Sequence, residues 1–285
     1  MTKKEQTKKA KCSPTAEEKD YTCYSDEALN KMKTLWNARH PDVKITATEP
    51  RVIWNTLKNN MSNICNVETC WLRQNFMKDE STKSLMAYTF APQAPKTWKK
   101  DPYEWLTSLD IERVMKQYEK KYKCFEFMGP SPIDFDKHLL YNECVWEELC
   151  KFSLSKLIKK GKNKIGIIFN LDPHYENGSH WVSIFVNVRA GYIFYFDSNG
   201  DAIPDEIMEL VNRITTQADA LGISMKFYEN HPFEHQKSNT ECGMYSLYLI
   251  INLLKDCKSY KAFMTKRVPD AEMKKLRNKY FNHSD

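Results

Sequence analysis

The sequence predicts an α+β protein with a small, central, largely antiparallel sheet flanked by helices, preceded by a mostly helical N-terminal region. Two patterns predict this class. Apolar residues recur at helical spacing between residues 21 and 90, whereas several short runs after residue 160 are apolar, β-branched and aromatic, as strands are. With 41% hydrophobic and 13% aromatic residues, the 285-residue chain has ample material for a packed core, so wholesale disorder is not expected.

The chain opens with a basic segment. Lysines occupy positions 3, 4, 8, 9 and 11. We expect residues 1–20 to form a flexible, solvated tail, and a weak nucleic-acid-binding arm is the alternative. Residues 21–90 form a helical accessory region, in which Ser25 and Thr48 are candidate helix caps and Pro50 lies near the first turn of the second helix.

Residues 91–102 concentrate proline and lysine, which favours a linker before a C-terminal domain spanning 103–285. This domain is expected to begin with two helices, one in 104–122 and one within 133–160. In the first helix, the residues predicted to face inward are Leu109, Val114, Met115 and Tyr118.

Three predicted strands follow, in "KIGIIFNLD", "HWVSIFVNV" and "YIFYFDS", and the last two are joined by the short turn "RAG". A helix in "IPDEIMELVNRITTQADAL" leads to a short strand, "ISMKFYE". An apolar helix is then expected to start near residue 242. These elements predict helices packed around a small sheet.

The composition narrows the class of protein. A net charge of +6 and a pI near 8.7 suit a protein that works near nucleic acid or acidic partners, although many enzymes match them too. No apolar run reaches the roughly 18–20 residues of a membrane helix, and no signal peptide is recognised, so a soluble protein without membrane association is expected. Nine cysteines in such a chain favour reduced thiols. Cys65 and Cys70, with Cys12 and Cys23, could be zinc ligands, but their spacing matches no standard C-x2-C motif, and we expect neither metal nor cofactor.

The segment "HQKSNTECGMYS" contains a candidate nucleophile. Cys242 precedes Gly243 at the predicted start of the apolar helix, where free N–H groups and the helix dipole favour a thiolate. A buried structural cysteine is the alternative, and it is the commoner role for one such residue. A thiolate also needs a base, a group that orients the base, and donors for the oxyanion.

Candidates for the base, its orienting acid and the oxyanion donor occur in the chain order that this chemistry needs. His180 begins one predicted strand and Asp197 ends the next. Pairing across the turn at residues 189–191 places residue 180 opposite about residue 200, which brings Asp197 beside the histidine. Gln236, six residues before Cys242, is the candidate oxyanion donor.

His-Trp on one strand, Asp-Ser ending the next and Gln-x5-Cys-Gly opening a helix resemble the SUMO-specific and adenovirus-type cysteine proteases. The chain is most similar to the large-DNA-virus branch typified by the African swine fever virus polyprotein-processing protease, over roughly residues 100–285. The resemblance implies the adenain/SUMO-protease-like fold, with His180 as general base, Asp197 as its orienting acid, Cys242 as nucleophile and Gln236 as oxyanion donor. It also implies that Trp181 roofs a narrow channel for a Gly-Gly stretch. Trp105 is a candidate for the opposite wall, and a core tryptophan is the alternative for it.

Two departures from SUMO proteases bear on the substrate. Glu241 stands where those proteases usually carry Asp, and the N-terminal region shows no recognisable modifier-binding surface. We therefore expect cleavage of viral structural polyproteins after Gly-Gly-type sites during virion maturation, in the host cytoplasm at assembly sites and in the virion. The alternatives are removal of SUMO or ubiquitin-like modifiers from host proteins, acyl transfer by the same triad, and a basic DNA-associated structural protein with an idle triad.

Overall fold

A computed structural model describes residues 10–283 of the chain. These residues form two compact units. One contains the described residues up to Ala94 together with those from Lys279 onward, and the other spans Pro95–Asn278. The division falls within the segment predicted as a linker, and the last residues of the predicted C-terminal domain belong to the first unit.

The first unit is helical. Its α-helices are α1 Asp26–Arg39, α2 Pro50–Met61, α3 Glu68–Trp71 and α4 Lys83–Tyr88, and its 3₁₀ turns are Pro41–Val43, Asn75–Met77 and Glu80–Thr82. Helix α1 is capped as predicted, because the Ser25 side chain accepts a hydrogen bond from the Ala28 N–H. The predicted Thr48 cap is wrong, since α2 follows Glu49 without a side-chain cap.

The flexible tail predicted for residues 1–20 is wrong for its described part. Ser13 is buried, and its N–H donates to the Thr89 carbonyl at 3.1 Å. Cys12 pairs with Phe90 in an isolated β-bridge. Contacts with residues far along the chain, which local composition does not show, hold this segment in place. Lys3, Lys4, Lys8 and Lys9 lie outside the described residues.

The cysteines are largely paired. The disulfides are Cys12–Cys23, Cys65–Cys70 and Cys144–Cys150, and the free thiols are Cys124, Cys242 and Cys257. The expectation of reduced thiols is therefore wrong for six cysteines. Their Cα atoms lie 5.3–6.2 Å apart, within the span of a disulfide, and spacing along the sequence does not show this proximity.

The second unit is built on a five-stranded mixed sheet in the order β1-β2-β3-β4-β5. The strands are β1 Phe125–Pro132, β2 Lys164–Asn170, β3 Trp181–Asn187, β4 Tyr192–Phe196 and β5 Lys226–Glu229. The three central strands are antiparallel, and each outer strand pairs in parallel with its neighbour. The predicted α+β class is confirmed. Strand β1 was not predicted, because its Gly129-Pro130 and Pro132 are typical of turns, and its register shifts between Met128 and Ser131.

Helices cover the sheet. They are α5 Ser108–Lys121, α6 Glu147–Cys150, α7 Leu154–Lys159, α8 Asp205–Asp219, α9 Cys242–Leu254, α10 Tyr260–Thr265 and α11 Asp270–Tyr280, with 3₁₀ turns at Lys96–Lys99 and Leu140–Asn142. Helix α5 buries Val114, Met115 and Tyr118 as predicted, but Leu109 is exposed and Ile111 is buried. The single helix predicted within 133–160 is wrong, since two short helices separated by Lys151–Ser153 stand there.

Helix α9 lies against β3, and every residue of α9 except Asn252 is buried. A helix that is apolar on all sides has to be enclosed by other elements. Helices α7 and α8 contribute buried leucines and isoleucines to a core cluster shared with β2, β3 and β4. In the part of the chain that the structure describes, no helix is both long and apolar enough to span a membrane.

Candidate active site

The base and the acid meet at one edge of the sheet. His180 immediately precedes β3 and Asp197 immediately follows β4. Because the strands are antiparallel and Ser183 pairs with Phe196, the start of β3 lies beside the end of β4. The His180 Nε2 and Asp197 Oδ1 atoms are 2.7 Å apart. The structure thus brings the two residues together, as the hairpin register predicts.

Asp197 is fully buried and firmly held. Its backbone N–H donates to Asn230 Oδ1 at 2.9 Å, and its carbonyl accepts from Asn230 Nδ2 at 2.7 Å. Its Oδ1 also accepts from the Asn199 N–H at 2.7 Å. Among residues 10–283, the Oδ2 atom has no hydrogen-bond partner. A carboxylate fixed in this way orients the imidazole and stabilises its protonated form.

Cys242 is the first residue of α9 and is buried. Its side chain lies close enough to the His180 ring to raise the pKa of that ring. Since Nε2 of that ring faces Asp197, Nδ1 is the nitrogen left for the sulfur. The predicted nucleophile, base and orienting acid therefore lie next to one another, which cysteine catalysis requires.

The pKa of His180 is shifted strongly. Burial disfavours charge on the ring, but the Asp197 carboxylate and the Cys242 side chain outweigh burial and raise the pKa of His180 to about 10. The ring therefore carries a proton at neutral pH. A protonated imidazole in this position can supply a proton to a leaving amine, which fits the role predicted for His180.

Gln236 is anchored to the same edge through Ser198, the residue after Asp197. Its backbone N–H donates to the Ser198 carbonyl at 2.8 Å, and its Oε1 accepts from the Ser198 hydroxyl at 2.9 Å. Its Nε2 donates to the Ser238 carbonyl at 2.6 Å. An amide nitrogen carries two hydrogens, so the bond to Ser238 leaves a second N–H, which is compatible with the predicted role of oxyanion donor.

Trp181 covers the start of α9 together with Leu106, which the sequence analysis missed. The Trp181 indole donates to the Leu106 carbonyl at 3.0 Å, and only 7% of the residue is exposed. A Cβ placed on Gly243 would lie 3.1 Å from Leu106 Cβ and 3.2 Å from Trp181 Cδ1. Gly243 therefore permits a close approach that a side chain would obstruct.

A groove of about 710 Å³ includes both tryptophans in its lining. Trp105, the predicted second wall, is 37% exposed there. The groove is lined by residues 104–109, residues 129–132 and much of the loop 170–178. Its acidic lining residues are Glu104, Glu112, Asp172 and Glu176, and no lysine or arginine is among the residues that line it. The site predicted from sequence thus adjoins an acidic groove.

Two other histidines have structural partners. His235, close in sequence to Cys242, accepts from the Val268 N–H and contacts the Phe263 carbonyl at 2.7 Å. Burial lowers the pKa of His235, and nearby cationic side chains add to that effect. His174 pairs with Asp134 at 2.7 Å. These contacts are structural and leave His180 as the histidine joined to the thiol.

Residues 111–285 match the model of the Ulp1 protease family, C-terminal catalytic domain. The chain belongs to the Ulp1 protease family. A protein of Acanthamoeba polyphaga mimivirus that carries the name of a thiol protease is 26% identical across 95% of this chain and 93% of its own length. The "SUMO-1 cysteine protease" of African swine fever virus (isolate Tick/South Africa/Pretoriuskop Pr4/1996) is 32% identical across 62% of this chain and 67% of its own.

The fold has a solved counterpart. The crystal structure of the selenomethionine-labelled protease of African swine fever virus matches 99% of this chain and 98% of its own, with a TM-score of 0.68 at 23% identity. This chain is accordingly a SUMO-protease-like cysteine peptidase of the large-DNA-virus branch. The resemblance seen in the sequence is confirmed.

We expect Cys242→Ala and His180→Ala each to abolish peptide hydrolysis while leaving the fold intact, because nucleophile and base act as a unit. Steady-state kinetics, with circular dichroism to verify folding, measure this. Cys257→Ala is the matched control, since Cys257 is a free but exposed thiol and its removal should change nothing. Activity within tenfold of wild type in either site variant would disprove the assignment.

Asp197→Asn should lower the pKa of His180, because its carboxylate is the largest influence that raises it. NMR titration of ¹³C-labelled histidine measures this pKa, and some activity should remain because the amide still holds the ring.

A pKa of His180 that is raised in the folded protein stabilises the fold below the ordinary value of 6.5, and that stability is lost as pH rises through about 10. The stability difference between wild type and variant should therefore shrink over that interval. An unchanged pKa of His180 would contradict the pairing.

Proposed function

We propose that this chain is an endopeptidase of a large DNA virus that cleaves structural polyprotein precursors after Gly-Gly-type sites during virion maturation. The observation that carries the proposal is the close cover of Trp181 and Leu106 over Gly243, beside the nucleophile. The viral names of the similar proteins support the setting, host cytoplasm at assembly sites and the virion.

The reaction follows from the positions of the side chains. The Cys242 thiolate attacks the scissile carbonyl, and Gln236 with the Cys242 N–H stabilises the oxyanion. The His180 imidazolium transfers its proton to the departing amine, leaving a thioester and a neutral imidazole. That imidazole then removes a proton from water, and the resulting hydroxide attacks the thioester carbonyl. The C–S bond breaks, Cys242 leaves as a thiolate beside the His180 imidazolium, and the carboxylic acid product releases its remaining proton to solvent. Asp197 keeps the ring aligned throughout.

The preference for glycine follows from steric limits at the cover. The Trp181 indole is fixed by its bond to the Leu106 carbonyl, so it has little freedom to move aside. A substrate strand passing beneath it towards Cys242 has room for backbone and little room for a Cβ. Steric exclusion of this kind rejects a wrong residue more strongly than a missing contact does.

Two alternatives use the same fold differently. Removal of a ubiquitin-like modifier would use the same channel, and the name of the African swine fever virus relative points that way for that protein. A DNA-associated structural protein is disfavoured, because an acidic groove repels phosphates and the His180–Asp197–Cys242 contacts would have no purpose. Association of the basic N-terminus with nucleic acid stays a prediction.

Gln236→Ala should lower kcat about 10²–10³-fold with little change in KM, the typical loss for one oxyanion donor. Gln236→Glu is a useful companion, because it keeps the size of the side chain but places negative charge where the oxyanion forms. Steady-state kinetics on one fluorogenic peptide separate the two constants. A change confined to KM would make Gln236 a binding residue.

Gly-Gly-X peptides should be cleaved, and Gly-Ala-X or Ala-Gly-X peptides at least about a hundredfold more slowly, roughly 2.7 kcal/mol in barrier. Trp181→Ala should narrow that gap while lowering the rate on Gly-Gly-X, because the cover is removed. The matched control is Trp146→Ala, which alters the groove away from Gly243. Comparable kcat/KM for Gly-Gly-X and Ala-Ala-X would refute the channel.

A substrate comparison separates viral precursors from modifiers. Full-length structural precursor, a SUMO fusion and a ubiquitin fusion are incubated with equal amounts of enzyme whose active Cys242 has been titrated with a thiol probe. The proposal expects rapid cleavage of the precursor and slow cleavage of both fusions. The reverse order would favour the deconjugating alternative.

A further inference from the structure

A buried ion pair stands directly beside the nucleophile. Glu241 precedes Cys242, and its Oε2 lies 3.0 Å from Nε of Arg277 on α11. The two side chains are 0% and 2% exposed. Burying such a pair is weak evidence for stability, because desolvation offsets much of the attraction. Stability alone is therefore a weak explanation for the Glu241–Arg277 pair beside Cys242.

The Glu241 carboxylate is not used as a helix cap. Glu241 occupies the N-cap position of α9, yet its side chain makes no capping hydrogen bond there. Its Oε1 instead accepts from the Thr240 hydroxyl at 3.2 Å, and its Oε2 accepts from Arg277. The acid is thus directed towards the arginine and away from the free N–H groups of the helix.

The Arg277 guanidinium joins two separate segments. Its Nη1 donates to the Glu104 carbonyl at 2.8 Å, and its Nη2 donates to the Thr240 carbonyl at 3.3 Å and the Tyr103 carbonyl at 3.4 Å. Its Cζ also lies 4.6 Å from the Trp98 ring centroid. A planar fork with five donors suits this task, which a lysine ammonium cannot reproduce.

The two joined segments carry the two sides of the catalytic channel. Residues 103–104 lead directly into Trp105, which lines the groove, and Leu106, which contacts Gly243. Residues 240–241 lead directly into Cys242. One side chain therefore fixes the backbone on both sides of the proposed channel.

We propose that Arg277, held by Glu241, is a positioning residue that sets the separation between the Trp105–Leu106 cover and the Cys242 nucleophile. It acts through those residues and does not touch the substrate. The proposal rests on the channel described under the proposed function. A small misplacement of reacting groups costs rate out of proportion to its size, so the pair should govern turnover and glycine selectivity together.

The test uses the full chain and four variants. Arg277→Lys keeps the charge but loses the fork, and Glu241→Gln removes the partner's charge. Glu241→Asp keeps that charge on a shorter side chain. The double variant Glu241→Gln with Arg277→Met leaves no unpaired buried charge, so the proposal can still be tested if a single variant fails to fold.

Arg213→Lys is the matched control. Arg213 on α8 also combines a carboxylate, Asp136, with the Leu149 carbonyl, but it lies outside the channel. The measurements are kcat and KM on Gly-Gly-X and Ala-Gly-X peptides, normalised to thiol titration of Cys242, together with Tm. A purely structural pair would change Tm and leave kcat per active thiol and selectivity unchanged.

We expect Arg277→Lys, Glu241→Gln and the double variant to lower kcat on Gly-Gly-X about ten- to a hundredfold. The preference for Gly-Gly-X over Ala-Gly-X should narrow in the same variants. Glu241→Asp should retain more activity than Glu241→Gln, and Arg213→Lys should resemble wild type. Wild-type kcat and selectivity in the folded Arg277→Lys and double variants would overturn the proposal. Failure of the proposed function itself would show separately, as wild-type enzyme without glycine preference.

Discussion

The contact between His180 Nε2 and Asp197 Oδ1, 2.7 Å long, is the constraint on which the site depends. It exists because β3 and β4 are antiparallel neighbours whose register brings the start of one beside the end of the other. A shift of one residue would turn the histidine to the opposite face and separate the pair. The burial of β3 on both faces makes such a shift costly, since it would move the whole set of buried side chains. Core packing therefore holds the catalytic geometry.

The sequence predicted elements that have strong local patterns and missed those that depend on distant partners. The hairpin, α8 and α9 were found because their periodicity and turn residues are local. Strand β1 was missed because it contains Gly129-Pro130 and Pro132, and its extended form depends on pairing with β2. The same limit applies to Leu109, which fits the apolar spacing of α5 but is 58% exposed. The paired cysteines and the fixed segment after residue 10 also depend on contacts far along the chain.

The candidate site shows the same division. His180, Asp197 and Cys242 were predictable because the hairpin turn fixes the first two and the start of the apolar helix marks the third. Leu106 carries no chemical signal, and its backbone carbonyl is the group that holds Trp181. The sequence showed Glu241 only as the residue that replaces the Asp usual in SUMO proteases, without indicating its partner. Arg277 lies 36 residues further on and meets Glu241 only in the folded chain. Residues proposed to perform chemistry are therefore easier to predict from sequence than residues proposed to position them.

The side chains around His180 act on its ring more strongly than a helix end acts on a nearby charge. A dipole contributes only about 0.3–1 kcal/mol at a helix end, whereas the Asp197 and Cys242 side chains together raise the pKa of His180 to about 10 against the effect of burial. Helix α9 has a different task. Because it is enclosed on every side, it holds Cys242 at a fixed depth. Gly243 then allows Trp181 and Leu106 to approach within contact distance of the chain. Under the proposed function, reactivity depends on the hairpin, and selectivity depends on how closely Trp181 and Leu106 pack on the helix.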